Sequence, residues 1–324
     1  MKTDIAKIFR PVEQQLKQVR QLTNKQMKAT CGDDGMKKVI SSFSLSSGKM
    51  LRPALVLLSG AACGKITQRH IRIASVVEML HNATLLHDDV IDASLLRRAR
   101  PTVNSLFGNE RAILLGDFLL SRLFSICCGL DNQSREIIAE TIRHLAEGEL
   151  RQTIHKKDYE LSEKEYLQII TDKTAALFSA CCSLGAALAD AGQIQNKSLL
   201  RFGLNLGIAF QLADDLFDLT GDENKCTKTL GADADGNKPT LALIHHLSRL
   251  SPRQKTKLTA QLDKNSLSRN ELRQIIETDG ALDYVRKRIS KYIEEAVANL
   301  GPLKDSDAKN ALIETAKFVN ELTA

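Results

Sequence analysis

Two stretches of this chain, "TLLHDDVID" and "FQLADDLFDLTGD", place three aspartates each inside segments that otherwise read as apolar helix. They are Asp88, Asp89 and Asp92 in the first and Asp214, Asp215 and Asp218 in the second, so the same D-D-x-x-D spacing occurs twice. In a helix, positions i and i+4 lie one above the other. Asp88 then stacks with Asp92, and Asp214 with Asp218. Like charges at that spacing repel, and carboxylates are rarely buried without partners. A fold that accepts both segments must supply positive charge to their ends or raise the local pKa values.

The rest of the chain predicts helix almost throughout. "IRIASVVEMLHNATLLHDDVID" and "LRPALVLLSGAA" are dense in Ala and Leu, and several helices are apolar on most faces. Ser162 and Glu165 have the spacing of a capping box at the head of "LSEKEYLQIITDKTAALFSACCSLGAAL". Gly221 is a candidate helix stop, and Ser251 with Pro252 a helix start. The breaks are short, near 31–35, 93–104 and 221–240, and no long run alternates at period two. The 324 residues contain only six prolines and no linker-like stretch, so one domain over 1–324 is expected. Its class is all-α, a large helical bundle.

The seven cysteines form no CxxC and read as reduced core thiols, which fits a cytoplasmic protein. No secretory leader is evident, and no uncharged apolar run approaches the ~20 residues that span a bilayer. Net charge is +6, but acids and bases are interspersed and there is no Trp. Nucleic acid is therefore not an expected partner.

Paired carboxylates on two helices suit Mg²⁺, which keeps several waters and shares its shell with substrate phosphates. A diphosphate bridged by such ions is a natural leaving group. Basic residues divide into two sets around this idea. Arg97, Lys173 and Lys228 could help hold a metal-bound diphosphate, with Lys238 beside the loop after the second motif. Lys49, Arg52, His81 and Arg98 could hold a second diphosphate without metal. Two anionic heads beside an apolar interior imply two substrates with greasy tails.

These motifs together resemble the trans-isoprenyl diphosphate synthases, of the bacterial long-chain polyprenyl (octaprenyl) type. The resemblance runs from about Ser47 to Leu243 and includes "SGKMLRP", "HNATLLHDDVID", "LRRARPTVNSLFGNERAILLGDFLLSR", "KTAALF", "GIAFQLADDLFDLTGD" and "KPTLALI". Ser47, Met50 and Ala99 depart from the usual Gly, Arg and Gly. The resemblance implies a bundle around a deep central cavity, a homodimer, several Mg²⁺ ions, and isopentenyl and allylic diphosphates as substrates. It implies that the six motif aspartates, Asp88, Asp89, Asp92, Asp214, Asp215 and Asp218, form the metal site, with Asp88, Asp92 and Asp214 its catalytic members. It also implies that Lys173, Thr174 and Gln211 steady the allylic cation or its leaving group. At most a loose membrane association, through the product, is expected.

Product length is read from the helix before Asp88. From Ile71 to Asp88 it rises about 26 Å. Ala83 and Thr84, one turn below Asp88, are small where short-chain relatives carry an aromatic. Leu80, Val77 and Val76 below them are moderate in size. A long product follows, made from a primer such as farnesyl diphosphate and destined by resemblance for a quinone side chain. The competing readings are a short-chain synthase (farnesyl or geranylgeranyl), a class I terpene cyclase and a non-catalytic synthase subunit. A cyclase would not need the metal-free cation set, and a helper subunit should have lost part of an aspartate motif.

Overall fold

The structure, a computed structural model, describes residues 4–28, 33–43, 48–97, 100–221, 238–264 and 266–321. Among them the chain is helical nearly throughout. In order come α1 (Ile5–Ile8), a 3₁₀ turn (Arg10–Val12), α2 (Glu13–Lys28), α3 (Asp34–Ser42), α4 (Leu51–Cys63) and α5 (Gln68–Ile91). A two-stranded hairpin, β1 (Leu96–Arg97) and β2 (Arg100–Pro101), leads to α6 (Val103–Phe107), α7 (Asn109–Cys127) and α8 (Asn132–Ile154). Then follow α9 (Glu163–Ile170), a π turn (Thr171–Ala175), α10 (Ala176–Leu188) and α11 (Gln193–Thr220). The chain closes with α12 (Leu241–Arg249), α13 (Pro252–Asp263), α14 (Arg269–Glu277), α15 (Ala281–Asn299) and α16 (Asp307–Glu321).

Helix starts follow local chemistry. Asp33 accepts from the Met36 amide at 2.8 Å and Asp131 from the Ser134 amide at 2.9 Å. Ser162 and Glu165 form the expected capping box. Ser251 and Pro252 open α13 as expected, and Gly221 ends α11. Gly221 does so in extended backbone (φ −62°), without a left-handed turn.

The centre is built from α4, α5, α10 and α11. Residues Pro53 to Gly60 of α4 are buried without interruption, as are Ala180 to Ala186 of α10. Helices apolar on all faces can only be central. Outside them α7 packs on α5, α15 on α11, and α16 on α4. Close approach is obtained with glycine. A Cβ on Gly185 would meet the Val56 carbonyl oxygen at 2.2 Å, so α4 and α10 touch backbone to backbone. His70 of α5 reaches the same point. Its Nδ1 accepts from the Thr67 amide, so its Nε2 donates to the Gly185 carbonyl at 3.1 Å. Cys181 and Cys182 are core thiols, and burial pushes Cys182 up to about 12.

Two expectations change. The break at 93–104 contains the short hairpin, registered Leu96 to Pro101 and Arg97 to Arg100. It is held by the Thr102 hydroxyl donating to the Ser94 carbonyl at 2.7 Å and by Asn104 donating to Ser94 and to Asp89. The helix expected to run unbroken from 163 through 188 is interrupted by the π turn. The physical reason lies in α8: a Cβ on Gly148 would meet the Lys173 backbone nitrogen at 2.4 Å. Here α8 presses on the backbone of the turn. No helix among the described residues is long and apolar enough to cross a membrane.

Gly185→Ala should force α4 and α10 apart. A loss of about 1–3 kcal/mol is expected from overpacking, read as a lower midpoint in thermal or urea unfolding followed by circular dichroism. An unchanged midpoint would show that the crossing is looser than described.

Candidate active site

Both aspartate motifs lie at the C-terminal ends of their helices. Asp92 itself caps α5, its amide donating to the Asp88 carbonyl at 2.9 Å. Asp214, Asp215 and Asp218 occupy the last two turns of α11. Carboxylates at the negative end of a helix dipole gain nothing from it, so other groups must stabilise them.

Lys238, just before α12, links the two motifs. Its ammonium donates to Asp92 at 2.8 Å, and it lines a small cavity together with Asp215 and Asp218. Lys156, in the turn after α8, stands 3.8 Å from the other Asp92 oxygen. The hairpin returns Arg97 to Asp89, with Nε donating at 2.8 Å to a carboxylate only 3% exposed. Asp215 is held differently. It accepts from the Tyr166 hydroxyl at 2.5 Å and from the Gln211 amide at 2.6 Å. The Thr174 hydroxyl donates to Gln211 Oε1 at 2.8 Å, so π turn, α11 and α9 form one polar chain.

Lys173, in the π turn, donates to Gln152 at 2.7 Å and pairs with Glu149 at 2.5 Å. Burial works to lower its pKa, but Asp88, Glu149 and Asp92 outweigh it and raise the ammonium above its ordinary value. Burial pushes Asp88 up to about 6, with Glu149 and Asp92 adding to the effect and Lys173 and Arg97 opposing it. Burial likewise pushes Asp215 up to about 6 against its two hydrogen bonds, with Asp214 and Asp218 nearby. Asp89 is raised by burial despite Arg97.

The metal-free cation set is partly assembled. Arg52 of α4 sits 3.1 Å from His81 Nε2 of α5, with its guanidinium 4.9 Å from the Phe178 ring centroid. Lys49 precedes Met50, which takes a left-handed conformation (φ 54°) at the entry to α4. Its ammonium lies 4.9 Å from the Phe318 ring centroid in α16. Arg98 and Lys228 lie outside the described residues, as do Ser47 and Ala99. The five length-related positions lie along α5: Val76, Val77, Leu80 and Ala83 are buried, and half-buried Thr84 bonds the His81 carbonyl.

Four contributors escape the sequence reading: Glu149 and Gln152 on α8, Lys156 in the turn just past its end, and Tyr166 on α9. Glu149, Gln152 and Lys156 fall at i, i+3 and i+7 in sequence and read as an ordinary solvated face. Gly148, a glycine in mid-helix, was the available sign that something packs closely there.

The donor set fits a hard cation. It is all oxygen, it comes as an i, i+4 pair from each helix, and burial raises the pKa of Asp88, Asp89 and Asp215 despite the donors they already have. Among the described residues no group of three or more ligating side chains is gathered tightly enough to hold an ion by itself. Two carboxylates per helix, leaving room for water and phosphate oxygens, is the Mg²⁺ pattern rather than a closed protein cage.

The polyprenyl synthetase family profile matches residues 33–278. Octaprenyl diphosphate synthase of Escherichia coli (strain K12) is 35% identical over 273 residues, covering 83% of this chain and 84% of that protein. Geranylgeranyl diphosphate synthase of Saccharolobus solfataricus is 34% identical over 292 residues, covering 86% of this chain and 88% of that one. The crystal structure of a polyprenyl synthase from Caulobacter crescentus CB15, complexed with calcium and isoprenyl diphosphate, superposes with a TM-score of 0.92. It is 31% identical and covers 100% of this chain and 99% of its own.

Raised carboxyls carry a stability signature. Asp88 has a folded pKa of about 6 against an ordinary 3.8. The folded state therefore binds the proton more tightly, and stability falls as pH rises between those values. Asp88→Asn should stabilise the metal-free protein by about 1–3 kcal/mol at about pH 7.5 and by nothing at about pH 3.5. Parallel thermal melts of the two proteins across that range check this; identical pH profiles would refute it.

Proposed function

The chain belongs to the polyprenyl synthetase family and is a prenyltransferase, and from that premise we propose that it condenses isopentenyl diphosphate with an allylic diphosphate into a long all-trans product. One observation carries the reading: both aspartate motifs stand around one cation, Lys238, which bonds Asp92 and shares a cavity with Asp215 and Asp218. A terpene cyclase has no use for the second cation set, here Arg52 braced by His81.

In this reading Asp88, Asp92, Asp214 and Asp218 would hold Mg²⁺, which would supply Lewis-acid stabilisation to the departing diphosphate. Asp89 and Asp215 would stand beside them in the metal site while also holding, respectively, Arg97 and the pair Tyr166 and Gln211. They orient the donors around them. Lys173, kept charged by Asp88 and Glu149, binds the leaving diphosphate together with Arg97 and Lys228. Thr174 and Gln211 face the allylic carbon as it becomes positive. Lys49, Arg52, His81 and Arg98 bind isopentenyl diphosphate. The allylic C1–O bond breaks, the double bond of isopentenyl diphosphate attacks through C4, and a C2 proton leaves to the departing diphosphate.

Two observations favour a long product. Ala83 is small and buried against Leu115 and Leu119 of α7 in one apolar cluster. Leu115 also lines a cavity of about 610 Å³ with Met36, Val39, Ile40, Phe107 and Phe118, and Asp33, Lys38 and Arg111 line it too. Such a volume is within the range of a bound organic ligand. We further propose that residues 1–324 act as one cytoplasmic unit and pair as a homodimer. Ile113, Leu114 and Phe124 on α7, with Leu150 and Ile154 on α8, are exposed apolar side chains that a second copy would cover.

Incubating the protein with Mg²⁺, isopentenyl diphosphate and farnesyl diphosphate, then chromatographing the dephosphorylated products, tests the function. Long-chain alcohols are expected. Product from the allylic substrate alone would mean a cyclase, no product a helper subunit, and a stop at farnesyl or geranylgeranyl length a short-chain enzyme. Ala83→Phe should shift products toward that short range while the first condensation continues.

The two diphosphate sites should separate kinetically. Arg52→Ala should raise KM for isopentenyl diphosphate about tenfold or more, as loss of a charge-assisted contact does, and leave the allylic KM near its original value. Arg97→Ala should do the reverse, and it also leaves buried Asp89 without its cation. Equal effects of both variants on both substrates would dissolve the division.

A further inference from the structure

Asp172 belongs to neither aspartate motif and to no group assigned above. It is 3% exposed, yet its carboxylate gathers three donors. Oδ1 accepts from His144 Nδ1 at 2.9 Å, and Oδ2 accepts from Arg151 at 2.6 Å and from Gln168 at 2.9 Å. His144 and Arg151 are on α8 and Gln168 is on α9. Burying a carboxylate is costly, and an apolar side chain of similar size often stabilises such a place as well or better. What an apolar residue lacks is direction. Three hydrogen bonds fix both the position and the rotation of the group that accepts them.

The direction matters because the next residue is Lys173. Gly148 of α8 meets the turn backbone, and the two sides of α8 grip it separately. His144 and Arg151, at i−4 and i+3 from Gly148, hold Asp172. Glu149 and Gln152, at i+1 and i+4, hold Lys173. A π turn inserts one residue into the helical ladder, and such turns recur at functional sites. Here successive side chains leave the turn toward opposite flanks of one helix.

We propose that Asp172 is a positioning residue: by locking the outer flank of the π turn to α8, it sets where the Lys173 ammonium stands. The proposal rests on the reading of Lys173 as a ligand of the leaving diphosphate. Asp172 itself touches no substrate.

A double-mutant cycle on the full chain tests it, read by titration calorimetry with inorganic pyrophosphate and Mg²⁺. Asp172→Asn keeps the shape but turns an N–H₂ donor toward groups that are themselves donors. It should weaken pyrophosphate about tenfold or more, in line with the cost of misplacing a group by a fraction of an ångström. Lys173→Met should weaken it comparably. The double variant should bind no more weakly than Lys173→Met alone, because Asp172 acts through Lys173. Arg151→Lys, which retains a positive donor, should bind better than Arg151→Met, and this pair carries the test if Asp172→Asn fails to fold. In turnover, Asp172→Asn should raise the allylic KM and lower kcat while KM for isopentenyl diphosphate stays fixed. A merely structural role would lower the melting temperature and leave pyrophosphate affinity intact. That result, or weakening in the double variant equal to the product of the single effects, overturns the proposal. Failure of the wild-type protein to bind pyrophosphate also overturns it. A wild-type protein that binds pyrophosphate but joins no substrates refutes the proposed reaction alone, because the binding cycle still reads the positioning role.

Discussion

The organising constraint is the burial of carboxylates at the ends of two helices, to which their mutual repulsion adds. Neither helix dipole helps, since both motifs lie at C-terminal ends. The molecule answers in three ways. Asp89 receives a guanidinium, carried back to it by the hairpin after α5. Asp215 receives neutral donors from α9 and α11. Asp88 receives only partial compensation, and its pKa rises to about 6. The compensation is incomplete where a divalent cation would complete it. That residual unfavourable energy is the driving force a metal would exploit.

The second dependence is on α8. Its exposed face looks like any solvated amphipathic surface, yet it supplies Glu149 and Gln152 to the site and His144 and Arg151 to its outer support, and the turn after it supplies Lys156. It can do so because Gly148 removes the side chain that would hold it off the π turn. Helix-to-helix distance at this one crossing therefore decides whether a lysine reaches the acid-lined gap.

The aspartate motifs, the capping boxes and the all-helical class were legible because each is a local rule: an i, i+4 stack, a Ser-x-x-Glu, an apolar run too long for a strand. Arg52 with His81 was legible as a cation set, although not as a direct contact. What escaped was everything that depends on two helices meeting. The π turn at 171–175 breaks no propensity rule; it exists because α8 bears on it from outside. Tyr166 reaches Asp215 across 49 residues of sequence, and no spacing argument connects them. The hairpin at 96–101 is too short to show alternation, and tertiary hydrogen bonds from Thr102 and Asn104 hold it.

The same helix that ends in Asp92 also shapes the apolar space, and its two faces do so differently. Val76, Val77 and Leu80 pack into the main core, whereas Ala83 belongs to a second cluster shared with Leu86, Ala112, Leu115 and Leu119. Ala83 is 1% exposed, so its smallness is used first to let α5 approach α7. Leu115 belongs both to that cluster and to the lining of the cavity beside α3. On the proposed reading, then, the length of the product is not set by a lone gate at position 83. It is set by how closely α5 and α7 pack: a larger side chain there displaces Leu115 toward the cavity and removes volume the growing tail would occupy. On that reading chemistry and length would be coupled through one helix, with the acid-bearing turn at its end and the packing against its neighbours one turn below.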